Sequence, residues 1–187
     1  MAIYVTSDAH GHVRALDEAL SKISLASDDT LYVLGDMIDR GPDPVGVIKL
    51  VRSLPNAHVL KGNHEQIMLD AIIGQDPLDA ETWDINGGWT TRQQLNDMEF
   101  EAYEELVRWM AGLPLYAVTE TDERPYLLVH AGIEMEAARA FLLEHGVDCA
   151  DGVGAVDADR ELLQQMLAVQ SSDDLLWIRH GYWDAPT

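Results

Sequence analysis

Short apolar runs, polar segments punctuated by glycine, and amphipathic stretches follow one another in a regular order along the first third of the chain. Residues 2–6 (AIYVT) are apolar and partly β-branched, which predicts a buried strand. The polar segment SDAHGH comes next, and residues 12–22 then carry Val13, Leu16, Ala19 and Leu20 at helical spacing. Residues 30–34 (TLYVL) predict a second strand, GDMIDRGPDP a loop, and Asp43–Pro44 the start of a helix over 44–54. Residues 57–60 (AHVL) predict a third short strand, KGNHE a loop, and 65–73 a helix. This strand, polar loop, helix rhythm is that of parallel βαβ units. Each polar cluster falls just past the carboxyl end of a predicted strand, where ligand sites of open α/β sheets lie.

Residues 74–112 break the rhythm, with Gly74, Pro77 and the pair Gly87–Gly88 as punctuation. Within them, 97–111 predicts a helix with Phe100, Tyr103, Leu106, Val107 and Met110 on one side. The stretch is expected to be a largely helical insertion or lid within a single domain over 1–187, placed to influence substrate choice. Its aromatic residues Trp83, Trp89, Tyr103 and Trp109 have two readings, a substrate groove or packing of the insertion onto the core. Strands are predicted at 115–119 and 126–130 with TDER as the turn between them. A helix near 134–145, a Gly/Asp/Ala-rich loop over 146–159, a helix over 160–169 and a short apolar element at Leu175–Ile178 complete the chain.

Composition narrows the partners. With 33 acidic residues against 12 Lys and Arg, the formal net charge is -21, which disfavours nucleic acid and anionic lipid surfaces. The same charge slows encounter with a phosphorylated substrate unless basic side chains or divalent cations reverse the local field. Cys149 is the one cysteine, so no intrachain disulfide can form. The start MAIYVTSD lacks a signal peptide's basic segment, and no run approaches the roughly 20 apolar residues of a membrane helix. The expected setting is soluble and cytoplasmic.

Four clusters carry candidate chemistry: Asp8-Ala9-His10-Gly11, the run from Gly35 and Asp36 to Asp39-Arg40-Gly41, Gly62-Asn63-His64-Glu65, and His130-Ala131-Gly132. Carboxylate, imidazole and amide oxygen suit Mn, Fe, Zn or similar ions and omit the thiolates of a structural zinc site. In an extended segment, Asp8 and His10 would project to the same side and could share one ion. A solvated loop edge explains polarity in these loops, but not the recurrence of ligand-type residues after successive strands. His58 is expected to be structural. His145 suits a helix end, His12 either lines the pocket mouth or is solvated, and Cys149 is expected to be inert.

The order DAHG, GDMIDRG, GNHE, VHAG resembles the calcineurin-like metallophosphoesterase superfamily, and within it the bacterial and phage serine/threonine protein phosphatases. The match spans about residues 1–132 and extends loosely to Trp177–Arg179. The resemblance implies an α/β fold of the αββα sandwich type and a metal-dependent hydrolase of phosphomonoesters. Two divalent ions are implied, Mn first, with Fe, Zn, Ni or Co also fitting the donors. Asp8 and His10 would hold one ion, Asp36 would bridge both, and Asn63 and His130 would hold the second, with a bridging hydroxide as nucleophile. Arg40, and by weaker correspondence Arg179, would bind phosphate oxygens, and His64 oriented by Asp39 would be the general acid. The substrate would be a phosphorylated protein or small phosphoester.

Two other functions compete. Symmetrical dinucleoside tetraphosphatases resemble the chain closely but more often carry GNHD than GNHE, which favours the protein phosphatase. A non-catalytic phosphate-binding module would not need both His64 and a bridging Asp36. The superfamily also places a second-metal histidine in a Gly-His motif downstream of Trp-x-Arg. Here Trp177-Ile178-Arg179 is followed by His180 and the sequence given ends at Thr187, without such a motif or an evident closing strand. Three readings compete: the sequence given is part of a longer protein that carries the motif, His180 or His12 supplies the ligand, or the second site is weak or empty. For these 187 residues the expectation is tight binding at the first metal site and weak or absent binding at the second.

Overall fold

A computed structural model describes residues 1–74, 76–121, 124–149 and 159–178, and the chain divides into two compact units, Met1–Pro114 and Leu115–Thr187. The first unit is built on a parallel sheet in the order β1 (Ile3–Thr6), β2 (Thr30–Val33), β3 (Ala57–Val59), with Ile3 opposite Thr30 and Leu31 opposite Ala57. Parallel neighbours require crossovers, supplied by α1 (Val13–Ile23) and α2 (Pro44–Ser53). Central β2 has no polar face: Leu31, Tyr32 and Val33 are all buried, which is why TLYVL is apolar without alternation. Pro44 at the first turn of α2 needs no N–H partner, and Asp43 caps the helix by accepting from Gly46 N at 2.9 Å. Asp76 and Pro77 repeat the device at α4 (Pro77–Ile85).

The third helix, α3, spans Asn63–Ile73, so Asn63 and His64 lie in its first turn rather than in the predicted loop. Glu65 sets that earlier start: its carboxylate folds back to accept from Gly62 N at 2.9 Å, satisfying a donor at the helix entry.

Beyond it lie three helices, α4, α5 (Trp89–Asn96) and α6 (Phe100–Ala111). Each contributes to the unit's core: Trp83, Leu95, Leu106 and Met110 are buried in one cluster with Leu31, Val33, Met37, Ile48 and Met68. Burial of each such side chain contributes about 1.5–3 kcal/mol. Core packing is thus the outcome for Trp83, with Tyr103 and Trp109 partly buried against the same cluster, whereas Trp89 is 61% exposed. Phe100, expected on the apolar side of α6, is also largely exposed.

The second unit pairs β4 (Tyr116–Thr121) with β5 (Arg124–Val129) in an antiparallel hairpin, Tyr116 opposite Val129. Around it lie α7 (Met135–Glu144), α8 (Arg160–Ala168) and α9 (Ser172–Trp177), with a separate core of Val118, Ile133, Ala138, Leu142, Leu163, Met166, Leu167 and Leu175. Cys149 is buried there. The apolar element predicted at Leu175–Ile178 is thus the end of a helix, capped by Ser171. His145 follows α7, its Nδ1 bonded to the Phe141 carbonyl at 2.8 Å. The centre of the TDER turn and most of the 146–159 loop lie outside the described residues. Among the described residues, no helix is long and apolar enough to cross a membrane. The mixed α/β class with parallel βαβ units agrees with a metallophosphoesterase fold.

Candidate metal centre

The loops after β1 and β2 and the start of α3 meet within the first unit. Their close approach depends on glycine: Gly35 has φ +93°, and a Cβ on it would lie 2.2 Å from Gly62 N. A Cβ on Gly62 would in turn lie 2.2 Å from Asp36 Oδ1. Glu65, fully buried, ties these segments together. Its Oε1 accepts from Met37 N at 2.8 Å, while Oε2 accepts from Asp36 N at 2.8 Å and Gly62 N at 2.9 Å. Burial pushes the Glu65 carboxyl pKa up, the Asp36 charge adds to this, and the three backbone donors pull it down. Glu65→Ala would leave these donors unpaired and is expected to lower stability by about 3 kcal/mol. A fall in the urea midpoint at constant slope would register it; an unchanged midpoint would contradict the clamp.

Asp36 is 3% exposed, and its Oδ1 accepts from His64 N at 3.0 Å, an anion at a helix N-terminus. Its Oδ2 lies 3.5 Å from His10 Nε2 and 4.0 Å from His64 Nε2. Both imidazoles are anchored by their other nitrogen. His10 Nδ1–H donates to the Ile38 carbonyl at 2.9 Å, and His64 Nδ1–H donates to Asp39 Oδ2 at 2.7 Å. That leaves both Nε2 lone pairs turned toward one region. Arg40 Nη1 donates to His10 Nε2 at 2.8 Å and Nη2 to His64 Nε2 at 2.7 Å. The guanidinium shows directly that these lone pairs converge on a positive charge. Burial, more than any other cause, holds the His10 pKa below its usual value; the Ile38 and Asp36 contacts oppose this, and Arg40 and His64 reinforce it. A neutral imidazole is the form that binds a metal ion.

His10, Asp36 and His64 offer one ligand atom each, all within 4.8 Å of one another, so the donor set fits a borderline divalent cation. Asp8 stands beside them, its Oδ1 3.8 Å from His10 Nε2, with its side chain 58% exposed. The expected alternation does not produce this proximity. Asp8 has φ +56° and His10 φ +40°, so the segment is a left-handed turn instead of an extended strand. Asp36, Asp39 and Arg40 also have positive φ, and among the described residues Ser24 is the one other non-glycine that does. Backbone strain is thus gathered in these loops.

Asn63 is buried in the first turn of α3. His130 directly follows β5 in the second unit, where Ala131 N donates to the Leu175 carbonyl at 2.9 Å. Arg179 and His180 lie outside the described residues. His12 is exposed at the start of α1, and His58 is exposed on β3 with its ring stacked on Tyr32 at 5.2 Å. The residues around Asp39 include Trp83, which sequence reasoning gave to a substrate groove or to core packing, and Thr91, which carried no signal.

The profile described as calcineurin-like phosphoesterase matches residues 1–184. The chain belongs to this family. Calcineurin-like phosphoesterases use a dimetal centre, and the His10, Asp36, His64 cluster is a possible part of one here. A symmetrical bis(5'-nucleosyl)-tetraphosphatase from Erwinia tasmaniensis is 31% identical over 136 residues, 71% of this chain and 45% of the relative. One of the same name from Proteus mirabilis is 32% identical over 139 residues, with the same coverage. The chain therefore spans about half the length of the curated relatives it matches. A solved protein serine/threonine phosphatase from Saccharomyces cerevisiae superposes with a TM-score of 0.50 at 20% identity, covering 84% of this chain and 43% of that one. That likeness speaks to the calcineurin-like fold alone.

Proposed function

We propose that the chain hydrolyses a phosphoric anhydride or ester with the help of divalent metal, and that its substrate is a dinucleoside polyphosphate rather than a phosphoprotein. The observation that carries the substrate class is the shared name of the relatives at 31% and 32% identity. It outweighs the GNHE motif, which pointed to a protein phosphatase. Glu65 is fully buried and bonds three backbone N–H groups, so a carboxylate at that position holds the loops and does not face a substrate.

Asp8, His10 and Asp36 are the donors proposed for one ion, with Asp36 shared and Asn63 proposed for a second; His130 is a candidate metal ligand on the basis of the sequence resemblance. Metal held there supplies Lewis-acid charge to phosphate oxygens and makes a water molecule more acidic. Mn heads the candidate ions, and Fe, Zn, Ni and Co suit the same donors. Arg40 contributes a planar fork that matches two phosphate oxygens. His64 Nε2, which accepts from Arg40 in this structure, is the atom proposed to take up a proton once Arg40 turns to phosphate and to pass it to the leaving oxygen, with Asp39 on Nδ1 holding the ring. Arg179 is proposed as a second phosphate contact on the basis of the sequence resemblance.

Symmetrical cleavage adds one water across the central P–O–P linkage of diadenosine tetraphosphate and releases two ADP. With Mn added, the expected result is two ADP per substrate and slower release of phosphate from a phosphoserine peptide. ATP plus AMP as products would overturn symmetrical cleavage, and faster action on the peptide would overturn the substrate assignment. No turnover of either would favour a phosphate-binding module.

A further inference from the structure

We infer that Trp83 and Thr91, on helices α4 and α5, are positioning residues that fix the Asp39 carboxylate and through it the proton-donating ring of His64. The inference rests on the proposed role of His64 as general acid and extends it to a part of the chain that sequence reasoning gave to substrate choice.

Asp39 and Thr91 are 0% exposed, His64 1% and Trp83 3%. A carboxylate so deeply buried needs donors on both oxygens to remain charged and fixed in plane. Oδ1 accepts from Thr91 Oγ1 at 2.6 Å and Trp83 Nε1 at 3.0 Å. Oδ2 accepts from His64 Nδ1 at 2.7 Å, with Trp83 Nε1 also 3.2 Å away. Thr91 Oγ1 also accepts from Asp39 N at 2.9 Å, so one hydroxyl ties down the residue's backbone and its side chain. That backbone has φ +70°, a conformation a free aspartate rarely keeps.

The helices are shaped for the task. A Cβ on Gly88 would lie 2.3 Å from Trp83 Cδ1 and Nε1, so the indole rests directly against the Gly88 backbone. The Gly87 carbonyl accepts from Arg40 N at 3.0 Å, holding the next residue of the same loop. Packing of apolar surface alone would not require the indole N–H and a buried hydroxyl to be aimed at the same carboxylate.

Trp83→Phe removes the N–H and keeps the ring; Thr91→Val removes the hydroxyl and keeps the shape; Thr91→Ser restores it. Partners at this remove from the reacting atoms typically cost about 10–100-fold in activity. The first two variants are expected to lose about tenfold or more in kcat on an alkyl phosphate, and clearly less on p-nitrophenyl phosphate, whose leaving group needs no proton. KM and bound metal should hold, and Thr91→Ser should recover most of the loss. In the metal-free protein, the His64 Nδ1–H proton signal should be protected in wild type and broadened in Thr91→Val. Adding Trp83→Phe to His64→Asn should cost little further. Equal losses on both substrates, additive loss in the double variant, or an unchanged Nδ1–H signal would overturn the inference. If Trp83→Phe fails to fold, the Thr91→Val and Thr91→Ser pair decides. If His64→Asn itself shows no dependence on leaving group, the general-acid assignment fails, whereas the proton signal still reports on the clamp.

Discussion

Asp36→Asn should leave a folded protein with turnover reduced by several orders of magnitude. The amide oxygen can still accept from His64 N, the bond that Asp36 Oδ1 now makes at 3.0 Å, so the loop and the start of α3 keep their contact. What disappears is the negative charge 3.5 Å from His10 Nε2, in a place only 3% exposed where water screens little. A cation at the centre then loses its most buried anionic donor. Circular dichroism and thermal midpoint should stay near wild type while kcat collapses. Near-normal turnover in this variant would remove Asp36 from the centre and with it the proposed shared ligand.

The second large effect is expected at His64. Its ring is buried, held on Nδ1 by Asp39 and turned with Nε2 toward Asp36 and Arg40. If Nε2 delivers the proton, His64→Asn should cost roughly 10²–10⁴-fold on an alkyl phosphate and much less on p-nitrophenyl phosphate. Bound metal should be unchanged. The ring's place among the possible ligand atoms gives a sharp alternative: a fall in metal content with equal losses on both substrates would make His64 a ligand instead of an acid.

The order β1, α1, β2, α2, β3, α3 could be read from the chain because each element signals itself locally. TLYVL is continuously apolar where a central strand is covered on both faces, and Asp43–Pro44 carries both a cap and a first-turn proline. The donor types were legible for the same reason, being clustered at strand ends. Their geometry was not. Alternation along an extended strand brought Asp8 and His10 together on paper, whereas positive φ at both residues does so in the fold. Asn63 reads as part of the loop KGNHE because the local pattern does not show that Glu65 folds back onto Gly62 N and starts the helix two residues earlier. Trp83 and Thr91 reach Asp39 from 44 and 52 residues away, and no local period encodes such a contact. Helices α4 and α5 read as an overhanging insertion because the sequence cannot show that Trp83 and Leu95 share a core with β2.

The central claim is metal-dependent hydrolysis at the His10 and Asp36 centre. Its most direct test is to strip the protein with a chelator, return Mn stepwise, and measure bound metal and turnover of diadenosine tetraphosphate on the same samples, with Asp36→Asn alongside. The account predicts negligible turnover in the stripped protein, recovery in step with bound metal in wild type, and low metal content with little recovery in Asp36→Asn. Full turnover after stripping, or recovery in Asp36→Asn equal to wild type, would contradict it.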